Sequence, residues 1–157
     1  MAGNFDRCLN VVLRLEGGAS NHPADHGGAT NHGVTQRIYD HYRELLELPQ
    51  LPVTAITMTE VEALYQRLYW KPSSAEHLDW PLDLLMFDAF VQHQPAVARQ
   101  MLQAAMAWDG PVADEARAFL SVRLFQYQRI AAVNPTQAVF LPGWTNRIER
   151  LKREAGV

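Results

Sequence analysis

Apolar residues recur at helical spacing along nearly the whole chain. Phe5, Cys8, Leu9, Val12 and Leu13 fall at i, i+3, i+4, i+7 and i+8, one stripe of an amphipathic helix. Asn4 is a fitting N-cap. Gly17 and Gly18 stop the helix, which leaves Glu16 in or just past its last turn. A second helix behind Thr35 carries Ile38, Tyr39, Tyr42, Leu45 and Leu46, and Pro49 and Pro52 end it. Thr59 and Glu62 have capping-box spacing and open a third helix with Val61, Leu64, Tyr65 and Leu68 inward. Trp70 to Trp80, with Pro72, reads as a connection. Leu82, Leu85, Met86, Ala89 and Phe90 mark the most apolar helix, central to the core. Pro95 breaks it and opens the next, which carries Val97, Met101, Leu102, Ala105 and Met106. Asp109-Gly110-Pro111 is a turn. A long helix from about Asp114 to Val133 turns Phe119, Leu120, Leu124 and Tyr127 inward. Asn134-Pro135 interrupts it, and a final helix begins near Trp144.

The exception is the stretch 17–34, which holds five of the nine glycines. It is irregular, with short strands or a hairpin possible within it but not fixed by the pattern. The whole reads as a mainly α protein of about seven helices with a glycine-rich loop. No internal repeat or low-complexity segment interrupts it.

Composition narrows the class. A length of 157 residues, 48% hydrophobic and 20% charged, fits a single domain (1–157) large enough to bury its own core. The net charge of −3 leaves no footprint for general nucleic-acid binding. Residues 114–157 carry seven Lys/Arg against four Asp/Glu, and the remainder carries seven against thirteen. A basic final third can face an anionic polymer, though an ordinary solvated helix surface explains it more simply. The single cysteine, Cys8, excludes an intrachain disulfide and belongs in the core. The N-terminus lacks a basic region followed by an apolar run, so no secretory signal is expected. No apolar run approaches the roughly 20 residues of a membrane span. Synthesis in the cytoplasm is expected.

The glycine-rich loop also concentrates the reactive side chains. Glu16 stands at a helix end, Asp25 follows nine positions later, and Thr30 five after that. Two carboxyl groups held apart are the minimum equipment for cleaving a glycosidic bond. One must deliver a proton to the leaving oxygen. The C-terminal end of a helix carries partial negative charge, which disfavours an added anion and suits Glu16 to that task. Asp25 can activate water or hold charge opposite an oxocarbenium-like transition state, and Thr30 can orient a water. Glycines let a sugar approach the backbone closely. By spacing alone the plainer reading stands ahead: Glu16 a surface residue and Asp25 a turn former, since a Glu and an Asp nine apart are common.

The run from Glu16-Gly17-Gly18 through Asp25-His26-Gly27-Gly28-Ala29-Thr30-Asn31-His32-Gly33-Val34-Thr35-Gln36 resembles the signature of the glycoside hydrolase 108 family, approximately EGG, a spacer, then DPGGxTNxGIT. These are N-acetylmuramidases of phages and bacteria. The resemblance implies a lysozyme-like fold and maps the catalytic acid onto Glu16. The order Glu16, Asp25, Thr30 is also similar to the Glu, Asp, Thr order of phage-type lysozymes. Later pieces match more weakly: Tyr69-Trp70-Lys71-Pro72, Phe87-Asp88-Ala89-Phe90-Val91, the Asp109-Gly110 turn, Phe140, Gly143-Trp144 and Arg147 resemble the peptidoglycan-associated C-terminal part of such proteins. The chain then divides into a catalytic-motif half, 1–80, and a peptidoglycan-associated half, 81–157. Two positions depart from the pattern. His26 replaces a proline, and Val91-Gln92-His93-Gln94 stands where the family has VNxG, which leaves open whether the second half binds glycan as relatives do.

The resulting expectation is a peptidoglycan hydrolase cleaving between N-acetylmuramic acid and N-acetylglucosamine. Glu16, Asp25 and Thr30 are catalytic, and Gly28, Asn31, His32, Gln36 and Trp70 contact substrate. Trp70 is chosen because it opens a loop between helices. No metal or cofactor is expected, since His22, His26 and His32 lack metal-ligand spacing. Asp88, on an apolar helix, is read as a buried carboxylate with a backbone or arginine partner, and His93 as a helix-end residue. The expected partner is the glycan strand, met by a monomer at the cell wall and released by a holin or a secretion machine. Three rivals stand beside this: a lytic transglycosylase using the same Glu, a wall-binding or structural phage protein with a decayed site, and a secreted effector.

Overall fold

A computed structural model describes residues 4–16, 29–107 and 110–157. Gly17, Gly18, His22, Asp25, His26, Gly28, Trp108 and Asp109 lie outside the described residues. Among those described, seven helices have eight residues or more, and the only strands are two of two residues each. The mainly α expectation is met.

The chain forms two compact units, Met1–Pro72 and Ser73–Val157. The division falls after Pro72, and the 3-10 turn Ala75–His77 packs with the helix that follows it.

In the first unit, α1 (Phe5–Glu16) buries Cys8, Leu9, Val11 and Val12. A hairpin of β1 (Thr30–Asn31) and β2 (Val34–Thr35) pairs Thr30 with Thr35 and Asn31 with Val34. Its two-residue turn has positive φ at both His32 (51°) and Gly33 (76°). That is the backbone of a type I′ turn, whose twist matches the flanking strands. Helix α2 (Gln36–Leu45) follows without a break, and the Thr35 hydroxyl caps it by accepting from the Ile38 N–H. Its inward face is Tyr39, Tyr42 and Arg43, while the expected apolar positions Leu45 and Leu46 are exposed. Arg43 is buried because its guanidinium is spoken for. It donates to Glu60 Oε1 at 2.7 Å, to the Tyr39 hydroxyl at 3.1 Å and to the Pro49 carbonyl.

Glu60 also corrects the start of α3 (Met58–Tyr65). The N-cap is Thr57 with Glu60 at N3, two residues before the expected Thr59 and Glu62. Both pairs have the right spacing. Glu60 wins because one carboxylate oxygen completes the cap while the other receives Tyr39 and Arg43. These hydrogen bonds outweigh burial and hold its carboxyl below the usual range. Helix α3 continues into a π-helical turn, Gln66–Trp70, and a last turn α4 (Lys71–Ser73). The widened turn lies just before Pro72, whose ring crowds the preceding turn of a regular helix.

The second unit is built on α5 (Leu82–Gln92), in which every residue from Leu82 to Phe90 is buried. Around it lie α6 (Pro95–Met106), opened by Pro95 as expected, the long α7 (Val112–Val133) and α8 (Leu141–Ala155). The final helix begins three residues before Trp144. A 3-10 turn, Pro135–Phe140, joins α7 to α8 and leaves Val139 and Phe140 exposed.

Asp88, midway along α5, is the buried carboxylate expected from its sequence setting. Arg123 of α7 reaches Oδ2 at 2.6 Å and Arg147 of α8 reaches Oδ1 at 2.6 Å. Asp88 and Arg123 are both fully buried. The two guanidiniums overcome burial and hold Asp88 down at about 2. His93 caps the end of α5 and accepts from Arg123 Nε at 3.2 Å. Burial, then the Arg123 charge, pushes His93 down to about 4, so it is neutral near pH 7. Tyr127 closes the cluster, bonded to Arg123 and stacked on Trp144 at 4.8 Å.

Candidate active site

Glu16 is the last residue of α1 and half-buried. The turn of the hairpin packs directly onto it. A Cβ built at Gly33 would stand 2.8 Å from Glu16 Cβ and 2.9 Å from Glu16 Cγ. It would stand 2.8 Å from the Tyr65 hydroxyl as well. Only a residue without a side chain fits there, and the φ of 76° independently favours glycine. The Tyr65 hydroxyl donates a long 3.4 Å hydrogen bond to the His32 carbonyl on the same turn.

One helical turn further on, Tyr69 lies in the π-helical segment, its ring 5.4 Å from that of Tyr65. Burial raises the Tyr69 phenol, the Glu16 carboxylate raises it further, and Arg37 opposes both. Tyr69 therefore feels both the Glu16 carboxylate and Arg37, and its phenol is neutral throughout the ordinary pH range.

The other expected site residues divide. Thr30 and Asn31 form β1 and His32 begins the turn, so all three belong to the hairpin that rests on Glu16. Asn31 Nδ2 donates to the Val53 carbonyl at 3.4 Å. His32 is exposed, with its backbone left-handed. The Gln36 amide is engaged within the protein. It donates to Asp40 at 2.7 Å and to the Leu51 carbonyl at 2.9 Å, and accepts from the Val53 N–H at 2.7 Å. It fastens the start of α2 to the segment 51–53, which uses up the polar groups a sugar would need.

Trp70 is a core residue in place of the open stacking platform expected for it. It is 4% exposed and packs edge-on against Phe5 at 5.5 Å. The helix runs through Trp70 where the sequence pattern indicates a loop, and that turns the ring inward. Asp25 and Gly28 lie outside the described residues.

The pattern reading overlooks Gly33 as a steric necessity and overlooks Tyr65 and Tyr69 beside Glu16. A signal exists for each tyrosine and for the turn. His32-Gly33 between Asn31 and Val34 is a two-residue hairpin dipeptide, and Tyr65 and Tyr69 have the i, i+4 spacing of one helix face.

The model of the glycosyl hydrolase 108 family matches residues 9–93. Among solved structures, that of Brucella abortus SagA is similar to this chain, with a TM-score of 0.77 and 25% sequence identity. The likeness covers 97% of this chain and 93% of that one. No curated protein matches the sequence. No helix among the described residues is long and apolar enough to cross a membrane.

Proposed function

The chain belongs to the glycosyl hydrolase 108 family, and we propose that it cleaves the β-1,4 bond between N-acetylmuramic acid and N-acetylglucosamine with Glu16 as the general acid. At the coarser level it is a glycoside hydrolase acting on peptidoglycan, and so on the cell wall. The observation that carries the finer reading is the packing of the His32-Gly33 turn onto the Glu16 side chain. A helix-end glutamate with no chemical task has no need of a glycine-only contact that confines its first two side-chain carbons.

In this reading the Glu16 carboxyl gives its proton to the glycosidic oxygen as the C–O bond breaks. The departing sugar leaves as an alcohol, and positive charge develops at the anomeric carbon. Water attacks that carbon and passes a proton to a carboxylate, which restores charge balance. Asp25 takes the role of that second carboxylate, and Thr30, on the hairpin, helps orient the water. A separation of about 6.5–9.5 Å between the two carboxyls corresponds to inversion and about 5–5.5 Å to retention. Asn31 and His32, on the same hairpin, meet the sugar in this reading.

Glu16→Gln tests the assignment. Clearing of a peptidoglycan suspension should fall by at least about a hundredfold, the scale of a lost general acid, with an unchanged far-UV circular dichroism spectrum. Full activity in that variant sinks the reading. Mass spectrometry of the released fragments reports the attacking group: a reducing N-acetylmuramic acid end marks water, and an anhydro end marks attack by the sugar's own 6-hydroxyl.

A further inference from the structure

We propose that Tyr65 is a positioning residue for Glu16: its hydroxyl wedges the His32-Gly33 turn against the glutamate side chain and so fixes the direction in which the carboxyl presents its proton. The inference rests on the reading of Glu16 as the general acid.

Glu16 needs such a device. It is the last residue of its helix, where backbone order is weakest, and its side chain has three rotatable bonds. General acid catalysis requires the proton within hydrogen-bond reach of one oxygen, and a misplacement of about 1 Å can cost about a hundredfold in rate.

Three groups converge on one point. Glu16 Cβ, Glu16 Cγ and the Tyr65 hydroxyl all lie within 2.9 Å of where a Gly33 Cβ would stand. The turn therefore confines the glutamate on one side, and the tyrosine confines the turn. The hydrogen bond from Tyr65 to the His32 carbonyl, at 3.4 Å, is too long to do this by strength. The hydroxyl also fills space that the turn would otherwise relax into. Tyr65 is itself held rigidly. It is buried at the end of α3, and its ring packs against Tyr69. Burial and the Glu16 carboxylate keep the Tyr69 phenol neutral. The π-helical turn that begins at Gln66 extends this tyrosine-bearing face beyond the regular helix, a feature common at functional sites. Tyr65 is given no contact with substrate, so its role is positioning.

The test uses Tyr65→Phe, which keeps the ring and removes only the hydroxyl, assayed on soluble uncrosslinked glycan strands. We expect kcat per folded molecule to fall about tenfold or more, with KM within about twofold and an unchanged melting temperature. A double-mutant cycle adds a second readout. Gly33→Ala should cost less in kcat in the Tyr65→Phe background than in the wild type, because one of its close contacts has gone. Unchanged kcat in Tyr65→Phe overturns the proposal, and so do penalties that multiply independently in the cycle. Glu16→Gln run in parallel separates the two ideas. If it stays active, the acid assignment fails; if it is dead while Tyr65→Phe is fully active, only the positioning role fails.

Discussion

The two compact units are organised around opposite kinds of constraint. In the first, the critical contact is made by an absent side chain: Gly33 lets a left-handed turn lie on Glu16 with no room for one more carbon. In the second, it is made by charges buried in an apolar setting: Asp88, on a helix buried from Leu82 to Phe90, is held between Arg123 and Arg147. The first unit is intolerant of added atoms and the second of removed charges. In the first unit the fit is set by close approach of backbone. A helical core can be knit by ion pairs only if every partner is satisfied, since an unpaired buried charge costs far more than the pair returns.

The largest expected effect tests the second unit. Asp88→Ala strands two guanidiniums in the core and should destabilise the protein by about 3–5 kcal/mol, read as a fall in the denaturant midpoint. If the midpoint barely moves, the charge cluster is not what holds this unit.

Next comes Gly33→Ala. Its left-handed backbone and the overlap with Glu16 and Tyr65 should together cost about 1–3 kcal/mol, with a loss of wall-clearing activity larger than the loss of folded protein. Equal losses of the two would make Gly33 purely structural. Thr57→Ala removes the α3 cap and should cost about 1 kcal/mol, at the low end of the Gly33→Ala range in a thermal melt. At the bottom of the scale, Phe125→Ser replaces an exposed aromatic on α7 and should shift stability by no more than about 0.5 kcal/mol.

Acid titration sharpens the comparison further, because both shifted groups of the second unit act in the same direction. His93 is pushed down to about 4 from an ordinary value of 6.5. The unfolded chain therefore binds this proton first, and stability contributed by the neutral ring is lost as pH falls from about 6.5 toward about 4. Asp88 is held at about 2 against an ordinary 3.8. Its contribution is present above the unfolded value and is lost as pH falls through about 4 toward about 2. Unfolding midpoints followed against pH should decline in two stages, and His93→Gln should remove the upper one.

How much of this was legible in the sequence differs by element. The α1 stripe, the Thr35 cap, Pro95 at the head of α6 and the burial of α5 follow from local rules, because period and capping chemistry act within one turn of chain. The third helix shows the limit. Thr57 and Thr59 each precede a glutamate by three residues, and only the reach of Tyr39 and Arg43 to Glu60 chooses between them. Arg43 and Arg123 are charged residues that a pattern of apolar positions passes over, yet partners 17 and 35 positions away make them core. Trp70 fails for the same reason in reverse: Pro72 reads as a breaker, but the helix widens and carries the indole inside.

By itself the sequence determined the mainly α architecture, the family, and Glu16 at the end of its first helix. Helical period, glycine stops and the loop signature are all encoded in neighbouring residues. Tertiary structure alone decided what lies against Glu16. Gly33 is 17 positions from it and Tyr65 is 49, and no local propensity registers a contact between a glutamate, a turn and a phenol. Such a contact arises only when separate elements pack, because close packing is a property of their shared boundary and not of any one stretch of chain.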